Sequence, residues 1–447
     1  MTKNRVDEFI KNPKKALFVL AVPIVIGMLV QVMYNIVDTA FIGRLGAESI
    51  AALTFSFPLF FILISLNSGI GIGMSSLISR YLGSNNKNEA ENAAMHGLFI
   101  SLIFSAFVIV LGIAVLKPLF QLFGAEGNVL ELAISYMSIV LLGVFFMFPS
   151  FIFNSIFAAQ GDTKTIMKVQ VIGLALNTLL DPIFIYMLGY GVKGAAIATV
   201  IGFLFSLVLS MYYIKRKSYL HIHIDSFKFS PKIIKGIFSV GAPASLMMLL
   251  ISIYVIFINR FMAHFGTDYV ASFGIASRLE SVVTMPMVAL SVSLVTLTGM
   301  FFGAKRYDLL KSISWYGIKI SILFTSAIGF IFFALPNLFL RIFTSDTGLL
   351  NISAAYLRID VFTFPLMAVA MIISRIMQGM GYGMPGLVIN FIRVFLVAIP
   401  LAYIFVFLLG YGYLSIAVAM VIGGIISNIV ALIFMNVELR KIEYNSI

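Results

Sequence analysis

Twelve stretches of predominantly apolar residues recur along the chain, near 14–40, 50–79, 92–116, 130–157, 166–188, 194–214, 233–262, 270–301, 312–335, 349–374, 384–409 and 414–437. A helix needs about 20 such residues to cross the hydrocarbon layer of a bilayer, where every backbone polar group must be paired within the protein. The pattern predicts an all-α integral membrane protein with twelve transmembrane helices. Composition agrees, with 61% hydrophobic and 11% charged residues and a mean hydropathy of +1.07. The segment MTKNRVDEFIKNPKKA is basic, but the apolar run after it is far longer than a signal h-region, so no cleaved signal is expected. There is no cysteine, which excludes a disulfide framework and thiolate metal sites.

The runs form one unit written twice. A shift of 220 residues lays Pro23 on Pro243, Tyr34 on Tyr254, Gly46 on Gly266 and Gly83 on Gly303. Further along, a shift of 218 matches Gln160-Gly161 to Gln378-Gly379, and a shift of 221 matches Leu188-Gly189-Tyr190-Gly191 to Leu409-Gly410-Tyr411-Gly412. Six helices map onto six, an even number, so both copies share one orientation about a pseudo-two-fold axis along the membrane normal. The expected organisation is an N-terminal lobe over 1–217, a cytoplasmic connector over 218–231 and a C-terminal lobe over 232–447.

The net charge of +12 is a matter of topology. If the first helix starts from the cytoplasm, only Arg44, Lys117, Lys193, Arg260 and Arg341 fall in loops on the far side, while most basic residues, Lys3 and Lys441 among them, fall on the near side. This positive-inside bias places both termini in the cytoplasm and accounts for the basic charge without nucleic acid as a partner.

Against this background Asp38 and Asp181 stand out, because a carboxylate at membrane depth costs about 2.5–3.5 kcal/mol even on lenient scales. The repeat places Ile258 and Ile399 at the matching positions. Spacing of three and four puts Gln31, Tyr34 and Asp38 on one helical face, and Asn177 and Asp181 on another. Tyr136 and Asn154 lie close to five turns apart, and Thr199 adds a further polar group. Asn and Thr alone would read as interhelical hydrogen bonds. Two acids with no basic residue within a turn instead require a proton or a bound cation. Oxygen donors from Asp38, Asn177, Asp181 and Thr199 suit Na⁺, and the same carboxyls could carry H⁺. The residues leave that choice open.

The second half has its own charges, and Arg278, Glu280 and Asp360 form a possible polar locus there, with ion pairing as the simpler explanation. Pro23 and Pro243 remove a backbone hydrogen bond at matched positions, so a bend at Pro23 is expected to couple to the acidic face fifteen residues on. Gly69-Ile70-Gly71-Ile72-Gly73 sits in an apolar run, which favours close helix packing over a dinucleotide loop. No phosphate-binding loop, no H-E-x-x-H motif and no nucleophile–base pair is found, so an enzyme is not expected.

The run Gln-Val-x-Tyr-Asn-Ile-Val-Asp-Thr-x-Phe-Ile-Gly at 31–43, Gln160-Gly161-Asp162 and Asn177-x-x-x-Asp181-Pro182 resemble the multidrug and toxic compound extrusion (MATE) family over almost the whole chain. The resemblance is closest to its archaeal and DinF-like branch, whose polar cluster matches Gln31, Tyr34, Asp38, Tyr136, Asn154, Asn177, Asp181 and Thr199. It implies a V-shaped pair of lobes and antiport of bulky, often cationic or amphiphilic organic compounds against Na⁺ or H⁺. Within that branch the cation ligands correspond to Asp38, Asn177, Asp181 and Thr199, with Gln31, Tyr34, Tyr136 and Asn154 binding substrate or supporting the site. No cofactor beyond the coupling ion is implied, and the chain is expected to work as a monomer in the cytoplasmic membrane of a prokaryote. A flippase for lipids or lipid-linked precursors is the alternative within the same superfamily.

Overall fold

In a computed structural model, residues 4–224 and 227–444 are described; Lys3, one of the basic residues named above, lies outside them. Twelve helices are long and apolar enough to span a membrane, and no strand occurs among the described residues. We label them α1 (Pro13–Gly43), α2 (Ala47–Gly83), α3 (Lys87–Leu122), α4 (Gly127–Ala159), α5 (Thr163–Met187), α6 (Gly191–Lys217), α7 (Pro231–Ala263), α8 (Thr267–Gly303), α9 (Tyr307–Ala334), α10 (Thr363–Met380), α11 (Met384–Leu408) and α12 (Leu414–Ile442).

By contacts the chain divides into two compact units, Met1–Asp7 with Val19–Gly241, and Glu8–Phe18 with Ala242–Ile447. In the first unit α4 is the central helix, burying Met137, Val144 and Phe148 against Leu63 of α2, Phe120 of α3 and Ala195 of α6. The second unit has two apolar clusters, one around Ile258, Phe273, Tyr356 and Ile416, the other around Leu279, Phe332, Leu357 and Phe364. Outward positions such as Phe61, Ile103 and Val110 are exposed and apolar, as a lipid-facing surface requires.

The glycine run in α2 is a packing device. A Cβ on Gly73 would overlap the carbonyl oxygen of Ile237, and one on Gly71 would overlap Ser155 of α4. Gly241 lies against the Gly69 carbonyl in the same way, so the first third of α7 packs backbone to backbone on α2.

Two features depart from simple straight helices. The single apolar run near 349–374 is broken: a helix over Thr347–Asp360 ends in a turn, and α10 begins at Thr363. Pro365 has no N–H to offer the Val361 carbonyl, which bonds instead to the Phe364 N–H at 3.3 Å, while the Thr363 hydroxyl donates to the Asp360 carbonyl at 2.6 Å. Wider π-type turns follow Pro182 over Ile183–Met187 and recur in α11 over Ile392–Ala398 and Ile404–Leu408. The helical assignment of α1 and α7 continues through Pro23 and Pro243.

The segment after α6 is held as a strap on the first unit. The Gln160 side-chain oxygen accepts from the Ser218 hydroxyl and the Tyr219 N–H, both at 2.9 Å, and from the Leu220 N–H at 3.3 Å. Glu91 accepts from the His221 N–H at 2.7 Å. Asn92 exchanges two bonds with the backbone of Lys228, both at 3.0 Å, and His96 Nε2 accepts from the Ser230 N–H at 3.0 Å. Leu220 is fully buried as a result, whereas His221 and His223 remain exposed.

Candidate cation site

Four helices of the first unit supply the polar groups. Asp38 and Tyr34 come from α1, Tyr136 from α4, Asn177 and Asp181 from α5, and Thr199 from α6. Asp181 is fully buried although it is an acid, and Asn177, Thr199 and Tyr136 are buried around it. Its place at the end of a regular helical stretch follows from the sequence: Pro182 comes next, and the backbone widens into the π-type turn that often marks functional positions.

The carboxyls of Asp38 and Asp181 face each other within hydrogen-bonding range. The phenols of Tyr34 and Tyr136 both approach Thr199 and both acids. Asn177 Nδ2 donates to the Thr199 hydroxyl at 3.4 Å, and that hydroxyl donates to the Ala195 carbonyl at 2.9 Å. With their donors so used, the buried oxygens left over are all acceptors. Asp38 Oδ1, both carboxyl oxygens of Asp181 and Asn177 Oδ1 have no hydrogen-bond partner among the described residues. Buried acceptors of this kind each cost roughly 1–3 kcal/mol unless something positive satisfies them, and charged ones more. Two facing carboxyls can share one proton, or a hard cation can replace it; the donor set is all oxygen, which suits Na⁺. Among the described residues no group of three His, Cys, Asp or Glu side chains could hold a metal ion.

Not every expected residue joins this cluster. Gln31 belongs to a separate chain of amides, accepting from Gln170 Nε2 at 3.4 Å and donating to Asn35 Oδ1 at 3.2 Å. Asn154 Oδ1 is buried without a hydrogen-bond partner among the described residues. Gln170, which also crowds Gly27, has an obvious signal only in retrospect, as a lone amide on the inner face of α5.

The second unit confirms the asymmetry of the repeat. Ile258 is fully buried in an apolar cluster, and Ile399 packs on it. The tyrosines are kept, since Tyr254 and Tyr356 match Tyr34 and Tyr136 at a shift of 220. Around them Glu280 lies in electrostatic range of Arg393 and Asp360, and Tyr254 in range of all three. Arg278, expected in this locus, instead lies exposed with its guanidinium 6.0 Å from the Phe343 ring. Arg393 of α11 is the cation in electrostatic range of Glu280 instead, a proximity between helices that spacing along α8 could not show.

Known proteins place this geometry in context. The family model described as MatE matches twice, over residues 23–183 and 243–404, so each copy of the repeat carries one match. The probable multidrug resistance protein YoeA of Bacillus subtilis is 26% identical over 400 residues, covering 87% of this chain and 86% of its own. The FAD transporter of Shewanella oneidensis is 29% identical over 398 residues, covering 87% of each chain. A solved structure of a MOP superfamily transporter from Pyrococcus furiosus superposes with a TM-score of 0.92 at 32% identity, covering 99% of both chains. Twelve spans, a doubled family match and full-length structural likeness lead to one conclusion: the chain belongs to the MATE family of multidrug efflux transporters.

Proposed function

We propose that the protein is a secondary-active antiporter that exports organic, often cationic or amphiphilic compounds in exchange for Na⁺ or H⁺, with the coupling ion taken at Asp38, Asn177, Asp181 and Thr199. The observation that carries the reading is the set of buried oxygen acceptors, two of them carboxyls face to face, that no protein donor satisfies. A cation or proton entering from outside neutralises the pair and favours one conformation; its release toward the cytoplasm leaves the pair charged and favours the other. Because substrate and ion act on the same conformational equilibrium, each weakens or drives the other's binding by the same coupling free energy.

The first-unit cluster supports placement in the archaeal and DinF-like branch, and likeness to a Pyrococcus furiosus transporter agrees with it. Gln31, Tyr34, Tyr136 and Asn154 are read as substrate-binding or supporting groups, and Pro23 as the point where α1 bends. Bacterial relatives support a plasma-membrane location, and the placement of basic residues supports cytoplasmic termini. We read the protein as a monomer that carries small organic molecules and no nucleic acid, and that catalyses no reaction. The flippase alternative finds no support in relatives named for multidrug resistance and FAD transport.

The test is efflux of a fluorescent organic cation such as ethidium from proteoliposomes under an imposed Na⁺ or H⁺ gradient. Wild type is expected to be driven by one of the two gradients, and Asp38→Asn to lose that drive. Full ion-driven efflux by Asp38→Asn would refute the assignment.

A further inference from the structure

Three long helices of the first unit begin at one place. The N-termini of α2, α4 and α6 line an open cavity of about 620 Å³, at the end of the unit remote from the strap that follows α6. The first N–H groups of a helix have no intrahelical partner, and none of these three helices has a side-chain cap. Glycines make the approach possible: Gly46, Gly189 and Gly191 line the cavity with φ of 114°, 69° and 54°, conformations in which a side chain is strained.

Two side chains add to the backbone. Lys193, in the first turn of α6, brings a full positive charge to the wall. Ser49, in the first turn of α2, lines the cavity while only 5% exposed, and its hydroxyl has no hydrogen-bond partner among the described residues. One group opposes them. The Glu48 carboxylate also lines the cavity and accepts from Asn128 Nδ2 at 2.5 Å. Three helix termini, each equivalent to roughly half a positive charge, together with Lys193 outweigh the one carboxylate that lines the cavity, even with Glu126 as the N-cap residue of α4.

We propose that this cavity is a binding site for a phosphate-type oxyanion, held by the free N–H groups at the starts of α2, α4 and α6, the Ser49 hydroxyl and Lys193. A tetrahedral anion offers acceptors in several directions at once and so fits donors converging from three helices. The site is separate from the acid pair but not indifferent to it, since α4 carries Tyr136 and α6 carries Thr199 within a few turns of the same termini. It does not depend on the transport reading, because binding is measured without flux.

The experiment titrates the detergent-solubilised full-length protein with inorganic phosphate by calorimetry, at fixed ionic strength with chloride as the background anion. Saturable binding is expected, weakened roughly tenfold by Lys193→Gln and several-fold by Ser49→Ala, the scale of one charged or one neutral hydrogen bond. Glu48→Gln is expected to tighten it by removing the opposing charge. A cation site would reverse both signs, with Lys193→Gln tightening and Glu48→Gln abolishing binding of Ca²⁺, and that result would overturn the proposal. So would the absence of saturable phosphate binding, or binding unchanged in Lys193→Gln and Glu48→Gln alike. Short-chain phosphatidylglycerol below its micelle concentration separates two sources of the same chemistry. Displacement of bound phosphate by the lipid identifies a headgroup as the ligand, and failure to displace identifies free oxyanion.

Discussion

Replacing Asp181 with Asn tests the acid pair at its most buried member. The substitution keeps the shape, removes one charge, and places an amide N–H opposite the Asp38 carboxylate that now faces Asp181 across hydrogen-bonding range. A cation about 4 Å from one carboxylate gains roughly 4 kcal/mol at an effective dielectric of 20. If desolvation offsets half of that, the variant loses about 2 kcal/mol of cation binding, or roughly 30-fold in affinity. At a concentration a hundred times the wild-type Kd, bound Na⁺ stabilises wild type by about 2.7 kcal/mol, and a 30-fold weaker site retains about 0.9 kcal/mol. In the cation-free protein the order reverses, because the introduced amide would donate a charge-assisted bond worth about 1.5–3 kcal/mol where wild type opposes two acids. Thermal unfolding in detergent, followed by circular dichroism in NaCl against choline chloride at alkaline pH, reads both effects. Acidification is the second arm: a shared proton stabilises the wild-type pair as pH falls and leaves Asp181→Asn unmoved. A wild type that responds to neither ion, or a variant that responds as wild type does, refutes the reasoning.

Further outcomes follow from the packing and the strap. Gly73→Leu drives a side chain into the Ile237 carbonyl and should cost several kcal/mol or abolish folding, seen as lost monodisperse yield in detergent, whereas Gly274→Ala, with open space around it, should leave yield unchanged. Gln160→Ala removes the acceptor of three bonds to residues 218–220, so limited trypsin digestion should cut after Lys215–Lys217 markedly faster than in wild type. Arg393→Ala removes the cation in electrostatic range of Glu280 and should destabilise by roughly 1–3 kcal/mol, with Glu280→Gln in the same chain restoring part of the loss in thermal unfolding.

The sequence makes most of this architecture legible because a membrane allows so few alternatives. Twelve apolar runs become twelve spans since the backbone has nowhere else to pair, and the glycine run at 69–73 packs as its surroundings suggest. Asp38, Asp181, Asn177 and Thr199 come together because their cost and their spacing already point to one another. What stays hidden depends on contacts between helices. Arg393 and Glu280 are more than a hundred residues apart, and no local rule prefers that proximity to one with Arg278 two positions away. The break at Val361 and Phe362 was readable in principle from Pro365, but an apolar run of helical length masks a single missing donor. The strap over 218–230 looks like a solvated linker by composition. Its fixing points, Glu91, Asn92, His96 and Gln160, sit on other helices as ordinary polar residues.

The central claim is that the coupling ion enters at the first-unit acid pair, and the most direct measurement is ion flux itself. Proteoliposomes holding wild type, Asp38→Asn or Asp181→Asn are loaded with substrate, and ²²Na⁺ uptake and internal pH are followed as substrate leaves. The account predicts that one ion moves inward with substrate efflux in wild type and that both variants lose this coupled flux. Substrate-driven ion entry that persists undiminished in both variants would contradict it.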